Sequence, residues 1–238
     1  MRLDIYLVKK GFFRSRDRAQ EAIRNGQVLV EGKIKTRPSF DLTGEKVEVL
    51  VEDFGYVSRA ALKLESALQK FKIEVKGKVC LDIGVATGGF TDLLLQKGAQ
   101  KIYEVDVGEG QLASELVNQQ KIIFRNFTDA RNLQKTDFEE KLDLIVIDVS
   151  FISITLLIPA LLRITDRESE IIALIKPQFE VGARHDGVII DQKILNKILT
   201  KVRQAFLDAD FEIQQEMPSA VKGKEGNQEF LWLIKRSS

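Results

Sequence analysis

The chain has 238 residues, 44% hydrophobic and 30% charged, with only 4 Pro and 16 Gly, proportions that exclude a disordered, collagen-like or low-complexity protein. One cysteine, Cys80, and one histidine, His185, exclude an intramolecular disulfide framework and a Cys/His metal cluster. Net charge is +1 but unevenly placed: residues 1–50 carry 11 Lys/Arg against 7 Asp/Glu, and the remainder carries 25 against 28. The length suits one large domain, or a small basic one joined to a larger, slightly acidic one.

The chain opens Met1-Arg2-Leu3-Asp4 and reaches Lys9-Lys10 before any apolar run long enough for a secretory signal, so the cytoplasm is the expected compartment. Leu3 to Lys10 reads as a short helix. Ser15 stands before Arg16-Asp17-Arg18 and Gly26 follows Asn25, which predicts a capped helix with Ala19, Ala22 and Ile23 on one face. Val28-Leu29-Val30, a turn at Glu31-Gly32-Lys33 and the run Val47 to Val51 predict a small hairpin-like sheet. Arg14, Arg16, Arg18, Lys33, Lys35 and Arg37 gather at the helix start and after the turn, a face suited to phosphate oxygens; ordinary solvated charge is the competing reading. The run Ser15 to Ala19, Ile23, and Gly26-x-Val28-x-Val30-x-Gly32 together resemble an S4-type RNA-binding module, which recognises structured RNA by shape and backbone. We therefore expect an S4-like α+β domain over 1–51, a linker over 52–57 and a second domain over 58–238.

In the second domain Ser58 caps a helix with the apolar stripe Ala61, Leu64, Leu68 and Phe71, and Lys63 lies off that stripe. Strands are predicted at Val79 to Asp82, Ile102 to Val105, Ile122 to Phe124, Leu142 to Ile147, Ile171 to Ile175, Phe211 to Gln215 and Glu229 to Ile234. Helices are predicted at Phe90 to Gln96, Leu112 to Asn118, Ile152 to Leu162 and Gln192 to Leu207. This alternation specifies a Rossmann-like, doubly wound α/β sheet that binds ligands at its carboxyl edge, with a terminal pair that can form an antiparallel hairpin. The apolar run Leu144 to Ile164 mimics a membrane span, but Asp148, Arg163 and Pro159 divide it into strand, turn and helix.

At the first strand end stands Asp82-Ile83-Gly84-Val85-Ala86-Thr87-Gly88-Gly89, whose small residues let the backbone turn sharply and approach a ligand. The dinucleotide fingerprint Gly-x-Gly-x-x-Gly is absent, and Asp82 precedes the turn where a pyrophosphate would be repelled. S-adenosylmethionine, cationic and without phosphate, fits better than a dinucleotide or a merely structural turn. Gly84, Ala86, Thr87, Gly88 and Gly89 would line it, Asp82 would face its amino acid end, and Asp106 would accept its ribose hydroxyls. Asp129 would accept from the adenine amino group or else cap the next turn.

Asp148 and Lys176 each end a very apolar strand and Glu229 opens another, positions where an unpaired charge is costly to desolvate. They form either a site or a structural ion-pair network. Ser58-Arg59-Ala60-Ala61-Leu62-Lys63-Leu64, Asp82 to Asp92, Asp106-Val107-Gly108-x-Gly110-Gln111-Leu112, Asp148 to Ser153, Lys176-Pro177-Gln178-Phe179-Glu180 and Gly226-Asn227-x-Glu229 resemble the TlyA family. Also called haemolysin A, that family joins an S4-type domain to an FtsJ-like ribose 2′-O-methyltransferase. The resemblance covers nearly the whole chain. It implies that Lys63, Asp148, Lys176 and Glu229 form the FtsJ-type tetrad, with Asp148 also near the sulfonium, that Arg59 joins the RNA-binding residues, and that the substrate is ribosomal RNA, methylated on a cytidine ribose.

Such chemistry must hold a poorly nucleophilic hydroxyl in line with the methyl–sulfur axis and relieve it of its proton. Lys176 is the expected base or orienter, Asp148 steers it, and Glu229 orients Lys63 or the ribose. No metal is expected, and the protein is expected to act as a monomer on ribosomal RNA or ribosomal subunits. The rival readings are a non-catalytic RNA-binding protein that keeps the fold, a membrane-active haemolysin, and a methyltransferase of small molecules.

Overall fold

The computed structural model describes residues 1–24, 26–50, 55–108, 112–125, 127–181, 187–223 and 226–237. Asn25, Val51, the first linker residues Glu52 to Phe54, Gly110, Gln111, His185, Lys224 and Glu225 lie outside the described residues. The chain divides into two compact units, Met1–Val57 and Ser58–Ser238.

In the first unit helices α1 (Leu3–Lys9) and α2 (Arg16–Arg24) precede strands β1 (Val28–Val30), β2 (Lys33–Ile34) and β3 (Val47–Val49). Ser15 Oγ accepts from Arg18 N at 3.3 Å, the capping expected at the start of α2. The sheet is antiparallel in the order β2-β1-β3. Glu31 and Gly32 turn β1 into β2 with φ of 50° and 70°, the left-handed pair a two-residue hairpin needs. Leu3, Leu7, Ala19, Ala22, Ile23, Val28 and Val30 meet in its core.

The second unit begins with α3 (Ala60–Phe71), whose Ala61, Leu64, Leu68 and Phe71 are buried, as their helical spacing predicts. The main sheet follows from β4 (Val79–Ile83), β5 (Lys101–Val105), β6 (Ile122–Arg125), β7 (Leu144–Ile147), β8 (Glu170–Ile175), β9 (Phe211–Pro218) and β10 (Phe230–Arg236). Their order is β6-β5-β4-β7-β8-β10-β9. The strands from β4 to β8 are parallel, and β10 runs antiparallel between β8 and β9. The terminal strands thus form the hairpin left open by pattern alone, but β10, the later of the two, lies inside and β9 forms the edge. Polar residues fit that placement: β9 alternates toward solvent, whereas Leu231 to Ile234 are buried. Helices α4 (Gly89–Gln96), α5 (Ile158–Ile164), the single turn α6 (Pro177–Glu180) and α7 (Gln192–Leu207) connect them, α7 being capped by Asp191.

One expected element is absent. Leu112 to Asn118 is not a helix; its amides bond three residues back, Leu116 N to Ala113 O at 2.9 Å, and Ala113 N reaches across to Thr87 O at 3.2 Å. Leu112 and Leu116 instead press on Gly88, where a β-carbon would stand 2.7 Å and 2.4 Å from their methyl groups. Packing against the glycine turn outweighs local helix propensity here. No helix among the described residues is long and apolar enough to cross a membrane, and Leu144 to Ile164 divides into β7, a turn and α5.

Candidate active site

The parallel strands β4, β5 and β7 end side by side, and a cavity of about 370 Å³ opens at their carboxyl ends. Gly84, Ala86, Asp106, Asp129 and Asp148 line it together with Val107, Thr128, Arg131, Ser150 and Phe151. Gly84 is required twice over: its φ is +87°, and a β-carbon there would stand 2.7 Å from the Asp148 carbonyl oxygen. Ala86, at φ 48°, follows the same tight turn. Asp106 holds that turn from the next strand, Oδ2 accepting from Ala86 N at 3.0 Å and Oδ1 from Gly108 N at 2.8 Å.

Asp129 caps the turn after β6, accepting from Arg131 N at 3.0 Å, which is the capping alternative raised above. The Arg131 side chain bonds the same carboxylate and holds its pKa below the ordinary carboxylate range. Thr87, Gly88, Gly89 and Asp82 do not line the cavity. Gly89 faces Ser58 and Ala60, whose β-carbons would stand 2.9 Å and 3.1 Å from one of its own. Asp82 points into the protein: Thr91 Oγ1 donates to its Oδ2 at 2.8 Å, and burial drives its pKa well above the usual value, with Glu104 and Asp148 adding to the rise.

Glu104 faces Asp82 across the β4–β5 ladder. It is fully buried, and burial, partly relieved by Thr91 and reinforced by the charge of Asp106, raises its pKa to about 7. Sequence reasoning missed this carboxyl. The signal was one acidic residue inside an otherwise apolar strand.

The four charged residues form two short pairs. Lys176 Nζ lies 2.6 Å from Asp148 Oδ1 and donates to Ser150 Oγ at 2.8 Å. Lys63 Nζ donates to Glu229 Oε2 at 2.6 Å, across 166 residues of sequence. Lys63 therefore turns inward, off the apolar stripe of α3 yet largely covered. The strand register brings the pairs to one edge: Phe230 is opposite Ile175, so Glu229 and Lys176 stand one step beyond the end of the same ladder. Gly223 leaves room for the carboxylate; a β-carbon there would lie 2.5 Å from Glu229 Oε1. Asn227, two residues before Glu229, is buried and accepts from Ile189 N at 2.9 Å.

Phe151, also missed, projects at the cavity rim, 88% exposed and at φ 67°, with its ring 5.2 Å from that of Phe179. In the first unit Arg14, Arg16, Lys33 and Arg37 are exposed and Arg18 and Lys35 partly so. Arg16 is engaged: its Nε donates to the buried carboxylate of Asp4 at 2.9 Å. Lys35 sits 4.4 Å over the Phe40 ring, and Arg37 donates to Ser39. Arg59, just before α3, is exposed.

Comparison with known proteins agrees with this architecture. Residues 56–236 match the model of FtsJ-like methyltransferases and residues 1–47 that of the S4 domain. Hemolysin A of Brachyspira hyodysenteriae is 39% identical, over 97% of this chain and 98% of that one. The Mycobacterium tuberculosis protein named 16S/23S rRNA (cytidine-2′-O)-methyltransferase TlyA is 37% identical, over 98% of this chain and 89% of that one. A solved Streptococcus thermophilus structure superposes with a TM-score of 0.78 at 34% identity, covering 100% of this chain and 89% of that one. The chain belongs to the FtsJ-like methyltransferase family, in the TlyA group that also carries an S4 domain.

Proposed function

We propose that this protein transfers a methyl group from S-adenosylmethionine to the 2′-hydroxyl of a cytidine ribose in ribosomal RNA. The observation that carries the reading is the pairing of Lys176 with Asp148 and of Lys63 with Glu229 at one sheet edge, beside a glycine-turned cavity. The names of the relatives from M. tuberculosis and Campylobacter jejuni, both rRNA (cytidine-2′-O)-methyltransferases, agree with it.

The cavity suits the proposed cofactor. Asp106, Asp129 and Asp148 make its lining acidic, and the one arginine among the described lining residues, Arg131, is already neutralised by Asp129. Such a lining favours a ligand with sulfonium and ammonium charges over one with phosphates. When bound, S-adenosylmethionine supplies an electrophilic methyl group on a cationic sulfur. Asp106 would accept from its ribose hydroxyls, the Thr128–Asp129 segment would border its adenine, and Asp148 would face its positive end. Asp82, bonded to Thr91 within the protein, would shape the turn rather than touch the ligand.

Lys176 is assigned to the reacting hydroxyl. Held between Asp148 and Ser150, its Nζ can orient a ribose oxygen and pass on the proton that oxygen must lose. Asp148 fixes Lys176 in place. Lys63, fixed by Glu229, supplies a second oriented donor for the ribose or its phosphate. The S4-like unit would bring structured RNA to this edge through Arg14, Arg18, Lys33 and their neighbours, with Arg59 adding charge on the second unit.

The test is transfer of labelled methyl from S-adenosylmethionine to purified ribosomal subunits that lack the modification, followed by mapping. Label on a cytidine ribose is expected, with Lys176→Ala reducing turnover by roughly 10³-fold, within the range for lost acid–base groups, and changing cofactor affinity by less than about threefold. Cofactor binding without label on any ribosomal RNA would overturn the substrate. Retained turnover in Lys176→Ala would overturn the assignment of Lys176.

A further inference from the structure

Asp148 and Lys176 both stand where their strands end, so the ladder between β7 and β8 does not by itself hold their side chains together. The backbone leaving Asp148 also passes through Phe151 at φ 67°, a left-handed conformation that is costly for a bulky residue and persists only where the surroundings enforce it. Some contact from outside the segment must therefore fix its course.

Glu180 makes that contact. It is buried, its Oε1 accepts from Ile154 N at 2.8 Å, and its Oε2 accepts the Ser153 hydroxyl proton. Ser153 in turn caps the short helical turn Ile154–Leu157 by accepting from Thr155 N at 3.2 Å. The other end of the connection is Lys176 itself: Pro177 opens α6 directly after it, Phe179 N donates to Lys176 O at 2.9 Å, and Glu180 closes the turn. The Phe179 ring packs on Phe151 from the same turn. The result is a closed ring that runs from Lys176 through α6 to Glu180, across to Ser153, back along the segment to Asp148, and across the ion pair to Lys176.

We propose that Glu180 is a positioning residue for methyl transfer, locking the segment that carries Asp148, Ser150 and Phe151 to the strand end that carries Lys176. The inference rests on the reading of Lys176 and Asp148 as the reacting pair. A carboxylate is an expensive choice for this place: burial raises its pKa, and a hydroxyl, one amide and the charge of Lys201 only partly offset that. An apolar side chain would fill the volume at lower cost, but it would accept neither hydrogen bond. What the carboxylate adds is two directed acceptors on the loop, where a shift of about 1 Å in a reacting group lowers turnover by about 10²-fold.

The experiment compares Glu180→Ala, Glu180→Gln, Ser153→Ala, the Glu180→Ala/Ser153→Ala pair and Lys176→Ala in the full-length protein. It measures turnover on ribosomal subunits, KM for them, and equilibrium binding of S-adenosylmethionine. Glu180→Ala should lower kcat by about 30- to 100-fold, with KM and cofactor Kd within about threefold. Glu180→Gln, which keeps an acceptor for Ile154 N, should recover to within about fivefold of the parent. Ser153→Ala should lower kcat by about 5- to 10-fold, and the pair should be no worse than Glu180→Ala, because both residues act through one contact. Unchanged kcat in Glu180→Ala, an equal loss in cofactor binding, or multiplicative losses in the pair would overturn the inference. If Glu180→Ala does not fold, Glu180→Gln and Ser153→Ala decide, and parental kcat in Ser153→Ala would overturn it. An active Lys176→Ala would fail the underlying reading instead; an inactive Lys176→Ala beside a fully active Glu180→Ala would fail this inference alone.

Discussion

Asp4 in the first unit and the Asp82–Glu104 pair in the second are buried carboxyls treated in opposite ways. Asp4 in the first unit accepts from Arg2, Arg16, Gln20 and Ile5 N at 2.8–3.0 Å. Burial pushes its pKa up, but the hydrogen bonds from Arg2, Arg16 and Gln20 and the charge of Arg16 reverse the effect and leave it far below the ordinary range. Glu104 and Asp82 in the second unit face each other across adjacent strands with one threonine hydroxyl between them, and both are raised. Asp4 is a saturated structural anion that joins α1 to α2. The Asp82–Glu104 pair is two buried carboxyls that resist ionisation. Burial alone therefore does not reveal whether a carboxylate steadies or burdens its unit; the count of donors does.

The largest effect should come from emptying the saturated site. Asp4→Ala removes five hydrogen bonds, two of them from Arg2, and should destabilise the first unit by about 3–4 kcal/mol, as for a broken buried ion pair, read as faster amide hydrogen exchange confined to residues 1–57. Because its folded pKa is depressed, Asp4 contributes fully above its unfolded value of 3.8, so the loss should be constant from neutral pH down to about pH 4 and shrink only below that. A loss that already fades near pH 6 would contradict the saturated description.

Glu104→Gln should act in the opposite direction. The folded state keeps the Glu104 proton to about pH 7, whereas the unfolded chain releases it near 4.5. The parent therefore loses stability as pH rises between those values, by about 3 kcal/mol. Denaturant titrations at pH 4.5 and 7.5 should show the variant gaining by that amount on its parent, and a pH-independent difference would remove the burden assigned to Glu104. At the small end, Lys141→Ala breaks an exposed pair with Glu168 and should change stability by less than about 0.5 kcal/mol; a larger change would mean that the contrast between buried and surface carboxylates has been drawn too sharply.

Much of this architecture was legible in sequence because its signals are local. Helix α7 was expected over the residues it occupies, Gln192–Leu207, and its Leu195, Ile198 and Val202 are buried at helical spacing. The strands from β4 to β8 were visible as apolar runs between turn residues. The charges Asp148, Lys176 and Glu229 stood out because each borders such a run. What stayed hidden depends on contacts distant in sequence. The helical position of Lys63 alone reads as surface; only the family resemblance set it with Glu229, to which its Nζ donates at 2.6 Å. Strand order at the terminal hairpin depends on which strand pairs with the edge of β8, a contact far apart in sequence, and it is β10 that does so. Asp82 was expected to face a ligand, but in a strand with apolar neighbours on both sides nothing local reveals which way the carboxylate points, and it points toward Thr91. Leu112 to Asn118 carries helix-forming residues whose two leucines were needed against Gly88.

The contact between Gly84 and the Asp148 carbonyl bears on any effort to re-engineer the donor pocket. Even one added methyl group at position 84 would push on the backbone that carries Asp148, so enlarging or polarising the cavity from that side would disturb the Asp148–Lys176 ion pair as well. Space for bulkier analogues of the proposed donor should be sought at Val107 and Thr128, which line the cavity from just beyond β5 and β6, strands that do not pair with β7. The β5–β6 side is therefore the place to alter the fit of the proposed donor while leaving the Asp148–Lys176 pair as it stands.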